Sequence, residues 1–422
     1  MLDVLSHTLS ILWLVWLMQA VACVLQVKHL HRKLKRRTHR PLARYRPRAT
    51  VIMPVKGIDD DLVSNIAALC CQDYPDYQLV FVVESNQDPA YLVLDRELSR
   101  LDGPPWRVLV AGQASADEGQ KVHNQLFALR VLEEECDEDE VWVFADADAV
   151  PGPYWLAAIV RPLRRVTTTA MTSGYRWLIP TAGHDNGRTT LWSHLASILN
   201  SSIACQLGRH PFDRAWGGSM AITVGTARRG GLLKYLQHTL SDDYQCTRMC
   251  HDLNLRISFV PMCLVCSPVQ FSRNGFFEFA CRQYRITRVY APKLYLAALA
   301  LTSLYVVGSV SAIAFLMASW ITGQPLGQWW FPAACMLVVY LANHIRSSLR
   351  ARVVQQAFGP DILRKLRTTL WMDRWLTFLW MMVHWLVMLS AMTSRVICWR
   401  GYCYRLHAPQ RIEQINRYSK TT

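Results

Sequence analysis

The chain has 422 residues, 51% of them apolar, and a formal net charge of +15 from 46 basic and 31 acidic side chains. The length allows two or three ordinary domains, but the apolar residues gather towards the two ends, which excludes a simple soluble globule. The positive charge is equally uneven. Ten Lys or Arg lie in 28–48, six in 345–367 and six in 395–422, with only Asp361 and Glu413 among them, and elsewhere acids outnumber bases. A nucleic-acid binder would carry its basic stripe on a folded domain, so no nucleic-acid partner is expected. Charges beside apolar segments instead meet anionic lipid head groups.

In chain order, the first element is an uncharged run from Thr8 to Val27, long enough to cross a bilayer. Asp3 precedes it and no small-residue cleavage site follows, so residues 1–27 read as a retained signal anchor. The basic juxtamembrane linker 28–48 then fixes the cytosolic side by the positive-inside rule.

Between 49 and 290, short apolar runs alternate with amphipathic ones, which predicts βαβ units and a mostly parallel sheet. Strands are expected at 49–55, 77–84, 106–112, 141–148, 168–177 and 255–262, and helices at 62–72, 90–101 and 121–135. EEECDEDE at 133–140 reads as a solvated helix end. Thirteen cysteines in a cytosolic chain predict free thiols. Cys246, Cys250, Cys263 and Cys266 approach zinc-site spacing. The first pair falls on an expected helix and the second in the apolar run FVPMCLVC, so all four are assigned to the core.

In such sheets ligands bind beyond the carboxyl ends of the strands. Four polar places stand there. Glu84 and Asp88 follow the second strand. Asp146 and Asp148 end the fourth, on the same side of an extended backbone. Asp242 and Asp243 follow, then Arg282, Arg285 and Arg288. Each has a plain structural alternative: Asp88 as a cap of the next helix, Asp242 and Asp243 as a helix start, the arginines as a solvated face. Together they fit a nucleotide-sugar donor. An acid contacts the base, paired acids hold a hard cation on the diphosphate, a further acid accepts a proton, and guanidinium forks take phosphate oxygens. WGGSM, Trp216 to Met220, reads equally as an acceptor mouth or an ordinary turn.

Beyond the catalytic region, Leu294 to Ile345 is a long uncharged run broken by TGQPLGQ at 322–328, giving expected spans at 294–321 and 329–345. Trp375 to Ser394 is a fourth apolar segment, with His384 its one ionisable group. Residues 395–422 form a basic tail. Four crossings would leave that tail outside, against the positive-inside rule. Segment 375–394 is therefore expected to lie in the interface or re-enter without crossing.

PVKGIDDDLVSNIAALCCQDYPDYQLVFVVESNQDPA, GQKVHNQL with its Lys121 and Asn124, FADADAVP, SDDYQ and RITRV occur in an order that resembles glycosyltransferase family 2. The resemblance is closer to the ceramide glucosyltransferases of family 21. CWRGYCYRLHAP resembles that family's tail, at Trp399, Arg400, Tyr404 and Arg405. Val289 stands where the family has tryptophan.

The resemblance implies an A-type, Rossmann-like α/β glycosyltransferase domain between N- and C-terminal transmembrane helices, in a multi-pass protein of a bacterial inner membrane or an endomembrane. It implies a nucleotide-sugar donor contacted by Asp88, Glu84, Lys121 and Asp146, with Mg²⁺ or Mn²⁺ on Asp146 and Asp148. Asp243 is the implied general base beside Asp242, and Arg285 and Arg288 act on the diphosphate. The expected reaction moves one hexose to a membrane lipid such as ceramide, with hopanoid and diacylglycerol acceptors open. A processive polysaccharide synthase is the enzymatic rival. A transporter or scaffold is the rival of another class, disfavoured because the spans carry almost no ionisable residues.

Overall fold

A computed structural model describes residues 2–38, 45–59, 61–165, 167–182, 187–209, 213–323 and 326–417. Parts of the expected linker (39–44), of the 322–328 turn (324–325) and of the tail (418–422) lie outside the described residues. The chain divides into two compact units, each discontinuous in sequence. One comprises Met1–Lys35, Ala182–Cys205 and Phe271–Ser394; the other comprises Arg36–Thr181, Gln206–Gln270 and Arg395–Thr422. The expected continuous block 49–290 is thus divided, and the tail belongs with the sheet.

The sheet unit contains seven strands in one sheet: β1 (Ala49–Pro54), β2 (Tyr77–Val83), β3 (Trp106–Val110), β4 (Val141–Ala145), β5 (Thr169–Pro180), β6 (Ser219–Thr223) and β7 (Arg256–Val269). Their order is β3-β2-β1-β4-β6-β5-β7. The first four strands run parallel, as do β5 and β7, while β6 is antiparallel to both its neighbours. This is the expected α/β architecture with a mostly parallel sheet. Helices Leu62–Cys70, Pro89–Leu98 and Gln120–Glu133 make the crossovers. Val51, Phe81 and Val143 pack on one face with Ile66, Leu94 and Trp155; Ile52, Val82, Trp142 and Phe144 pack on the other with Leu126, Leu129 and Met249. Burial on both faces explains why these strands read as continuous apolar runs rather than alternating ones.

β3 ends at Val110 rather than 112, β5 extends to Pro180 and β7 to Val269, and two further elements differ from expectation. β4 stops at Ala145 instead of 148, because the Asp146 carbonyl leaves the ladder and accepts from Asn65 Nδ2 at 2.9 Å. β6 was not legible: SMAIT is five residues long and follows two glycines. Cys246, Cys250 and Cys263 are buried on helix and strand, as assigned, whereas Cys266 on β7 is only half-buried.

The tail forms a second, antiparallel sheet of β8 (Val396–Trp399), β9 (Tyr402–Ala408) and β10 (Arg411–Arg417). Arg400 and Gly401, at φ +50° and +84°, make the β8–β9 turn, the backbone of a tight hairpin. Here the free-thiol expectation is corrected. Cys398 and Cys403 face each other across this hairpin and form a disulfide, while the other described cysteines are free.

The helical unit holds Leu2–Thr38, Leu191–Ala204, Arg273–Tyr290, Pro292–Ile321, Leu326–Lys365, Arg367–Trp375 and Thr377–Ser390. Among the described residues two stretches, His7–Arg36 and Pro292–Ile321, are helices long and apolar enough to cross a membrane. They meet closely: a Cβ on Gly308 would stand 2.8 Å from the Trp16 ring, and Trp13 Nε1 donates to Ser311 Oγ at 3.1 Å. Leu326–Lys365 bends at Gly359, whose φ is +84°.

At Gly174 the β5–β7 register shifts between Ser173 and Tyr175, and an added Cβ would lie 2.0 Å from the Cys263 carbonyl oxygen. That contact is backbone on backbone, so neither side can yield without opening the sheet. Gly174→Ala is expected to lower unfolding free energy by about 3 kcal/mol, read from urea unfolding of the detergent-solubilised protein.

Candidate active site

The parallel strands β1, β2 and β4 deliver their carboxyl ends to one edge of the sheet, and the predicted acids of the sheet unit follow them. Asp146 stands one residue beyond β4. Lys121 lies in the first turn of Gln120–Glu133, whose N-cap is Gly119. The Gly119 amide donates to the Thr239 carbonyl at 3.0 Å, which docks this helix start beside the next one. Ser241 then caps Asp242–Asp252, so Asp242 and Asp243 occupy its first turn, where the helix dipole favours negative charge.

The end of β4 and these two helix starts converge on one ammonium. Lys121 Nζ lies 2.7 Å from Asp146 Oδ1 and 3.2 Å from Asp242 Oδ2, with side chains 21%, 18% and 6% exposed. Gln125, one turn beyond Lys121, donates to the same Asp242 oxygen at 2.8 Å. The backbone of WGGSM closes the other side. A Cβ on Gly217 would stand 2.4 Å from Asp242 Oδ2, and one on Gly218 would stand 2.6 Å from Asp146 Oδ2. The glycine pair is a wall against the two carboxylates.

The electrostatics follow from burial. Burial opposes a charged Lys121, but Asp146 and Asp242 outweigh it and hold the ammonium firmly protonated. Asp146 is pushed up by burial, with Lys121 pulling it down and Asp148 and Asp242 adding to the rise. Asp243 is raised to about 6 by burial and then by Asp242, against the hydrogen bond from Ser241. Its Oδ1 accepts from the Tyr244 amide at 2.7 Å as well as from Ser241. Its other oxygen takes no hydrogen bond among the described residues.

The predicted pair Asp146 and Asp148 is not a symmetric clamp. Since β4 ends at Ala145, the alternation does not carry through, and Asp148, 47% exposed, turns towards Arg176 at 3.8 Å. Among the described residues no three His, Cys, Asp or Glu side chains converge as a closed metal cage. A Mg²⁺-type cation uses one or two carboxylates and completes its shell with water and phosphate. Asp146, Asp148, Asp242 and Asp243 against Lys121 and Arg176 leave two negative charges. The donor set therefore fits a divalent cation brought with a diphosphate.

Asp88 takes the helix-cap role foreseen as its structural alternative. It caps Pro89–Leu98, its Oδ1 accepting from the Ala90 and Gly57 amides at 2.9 Å each. This fixes the β1 end against the β2 end. Glu84 pairs with Lys56 and accepts from the Tyr402 hydroxyl at 2.7 Å. Arg400 reaches Asp59 at 2.5 and 2.6 Å. Asn124 Nδ2 donates to the Val82 carbonyl at 3.3 Å, a packing role. Arg285 and Arg288 stand on Arg273–Tyr290 of the helical unit. Arg288 Nη1 donates to the Ala391 carbonyl at 2.6 Å.

Asn65, Gln125, Arg176 and Tyr402 were not foreseen. Gln125 alone carried a signal, its i,i+4 relation to Lys121.

A family model described as glycosyl transferase family 21 matches residues 14–412. Among solved structures, a mannosyltransferase from Pyrobaculum calidifontis in complex with GDP-Man and Mn²⁺ is 15% identical. The match covers 91% of this chain and 98% of that one at TM-score 0.44. Glucosyl-3-phosphoglycerate synthase from Mycobacterium tuberculosis with Mn²⁺, UDP and glucosyl-3-phosphoglycerate is 17% identical, covering 56% and 78% at TM-score 0.34. Both likenesses are too distant to add to what the family match shows.

Removing the ammonium leaves two buried carboxylates facing each other. Lys121→Met is expected to lose about 3 kcal/mol of unfolding free energy, and Lys121→Arg, which keeps the charge, about a third of that; urea unfolding at pH 7.5 compares them.

Proposed function

Because the chain belongs to glycosyltransferase family 21 and is a nucleotide-sugar glycosyltransferase, we propose that it is a membrane-bound, inverting hexosyltransferase. It moves a single hexose from a uridine diphosphate sugar to the hydroxyl of a ceramide-class lipid. One observation carries the chemistry: Asp243, raised to about 6, is an acid whose ionised form is both abundant and basic at neutral pH.

In this reading Asp88 and Glu84, beyond β2, contact the nucleotide, Asp88 through the oxygen its backbone amides leave open. Asp146 and Asp148 hold Mg²⁺ or Mn²⁺ together with the donor diphosphate. Once bound, that cation supplies Lewis-acid neutralisation of the leaving group. Lys121 keeps Asp146 ionised and oriented. Asp243 takes the proton of the acceptor hydroxyl as its oxygen bonds to the anomeric carbon; the bond to the diphosphate breaks on the opposite face, inverting the centre. Asp242, held by Lys121 and Gln125, keeps the Asp243 proton affinity high. Every group in this scheme comes from the sheet unit.

Membrane placement has its own support. Chain 395–417 returns to the sheet unit, with the Gln414 amide donating to the Ala116 carbonyl at 2.6 Å and Thr239 Oγ1 to the Pro409 carbonyl at 2.6 Å. Tail and catalytic sheet therefore share one side of the membrane, and the chain between them crosses an even number of times. Thr377–Ser390 has 14 residues, about 21 Å of helix, against about 30 Å of hydrocarbon. We assign the crossings to the N-terminal helix, Pro292–Ile321 and the first part of Leu326–Lys365, with the sheet unit in the cytosol.

Turnover is expected to fall with one-proton slope below pH about 6, as Asp243 takes up the proton it must accept. Purified protein with labelled UDP-glucose, Mn²⁺ and lipid extract is expected to yield lipid carrying one sugar. Asp243→Asn is expected to lose at least about 1,000-fold of this transfer, and equal transfer by both proteins sinks the assignment. Separately, Lys420→Cys is expected to resist impermeant thiol reagents in intact cells, and outside labelling would refute the three-span arrangement.

A further inference from the structure

The helical unit carries a second place built for a charged ligand. Along Leu326–Lys365 the composition changes at Ile345: the apolar stretch before it gives way to Arg346, Arg350 and Arg352. His344, Ser348 and Arg352, spaced by four, share a helix face. With Ile345, Leu349 and Arg374 they line an open cleft of about 280 Å³. Arg374, from Arg367–Trp375, forms the facing wall and donates to Ser348 Oγ at 2.9 Å.

No carboxylate lines this cleft. Among the described residues Arg352 and Arg374 make no ion pair, and Arg374 Nε and His344 Nε2, shielded from solvent, have no hydrogen-bond partner. The nearby acid, Asp373, is already committed. Its Oδ1 accepts from Arg346 at 3.2 Å and from Arg350 at 2.8 Å, so two buried guanidiniums share one carboxylate and leave a positive remainder beside the cleft. Such a surplus calls for an external anion. Forked donors with a hydroxyl between them match the oxygens of a phosphate.

The rim indicates where that phosphate comes from. Tyr340 and Trp375 flank His344 at ring distances of 4.2 and 4.6 Å, and Trp371 and Trp375 are 55% and 51% exposed. Exposed tryptophans beside arginines at the end of an apolar helix mark head-group depth in a bilayer. Ile345 and Leu349 give the cleft an apolar side suited to the start of acyl chains, which a free anion does not need.

We propose that this cleft binds the phosphate of an anionic phospholipid in the cytosolic leaflet. The inference rests on the membrane placement proposed above. It is separate from the acceptor lipid, which is recognised by its hydroxyl.

The full chain, reconstituted in nanodiscs of equal phosphatidylcholine and phosphatidylglycerol and released for native mass spectrometry, tests it. Wild type is expected to retain phosphatidylglycerol at least tenfold over phosphatidylcholine. Arg352→Gln, at an exposed position with no internal partner, is expected to abolish that preference without moving the unfolding midpoint; Arg352→Lys is expected to keep part of it. Arg374→Gln is expected to act in the same direction. Equal retention by wild type and Arg352→Gln overturns the proposal, as does saturation of the cleft by millimolar inorganic phosphate with loss of the lipid, which would make it a free-phosphate site. Alkaline carbonate extraction separates the two levels: release of the protein from membranes refutes membrane placement and this inference together, whereas firm retention without lipid selection refutes this inference alone.

Discussion

The sheet unit is organised around one half-buried cation. Lys121 stands between Asp146 and Asp242, and through them joins the end of β4, the start of Gln120–Glu133 and the start of Asp242–Asp252. Three chain segments far apart in sequence are thereby held within hydrogen-bond reach of each other. Charges removed from water are tolerated only when paired and bonded, and here each has a partner: Gln125 on Asp242, Lys121 on both acids. Glycine at 217 and 218 is the complementary condition, because any larger residue would occupy the space of the carboxylates themselves. With Asp148 and Asp243 beside them, the acids of the cluster outnumber its cations, Lys121 and Arg176.

A second set of contacts closes the same edge of the sheet from the far end of the chain. Tyr402 bonds Glu84, Arg400 bonds Asp59, and the Gln120 amide donates to the Tyr404 hydroxyl at 3.4 Å. The tail therefore meets the ends of β1 and β2 and the helix that carries Lys121. Arg400 is held at positive φ by the tight β8–β9 turn, a strained position for a side chain. That turn directs its guanidinium to Asp59. Basic residues of the tail thus serve as internal partners, Arg400 of Asp59 and Arg405 of Glu413.

Much of this was legible in the sequence where one physical signal dominated. β1, β2 and β4 are buried on both faces, so their apolar runs stood out. Asp88 as a cap and Asp242 and Asp243 as a helix start were both legible, and the order of acids after successive strands pointed to one edge of the sheet. Other features depend on contacts that no local pattern encodes. β6 is too short, and Leu191–Ala204 mixes Ser, His and Asn into a buried helix, so neither had a clear period. The end of β4 at Ala145 is set by Asn65, 81 positions away. The tail strands were hidden by their basic composition, and the disulfide by the expectation of a cytosolic thiol pool. The interleaving of the two units was invisible for the same reason: adjacency in space, not along the chain, decides it.

For Asp88 and Asp243 the structural role seen here and the chemical role proposed above are compatible. Each sits at or beside a helix start, and each spends one oxygen on backbone amides or the capping hydroxyl. Those bonds fix the carboxylate plane and leave the second oxygen aimed by the helix rather than by a free rotamer. For Asp243 the arrangement also sets the proton affinity, since burial and Asp242 raise it while the Ser241 bond limits the rise. A base free to rotate would lose that orientation, and one bonded through both oxygens would be too weak to accept a proton. A helix cap that engages a single oxygen satisfies both requirements, so a residue needed for local folding can also serve as the reactive group.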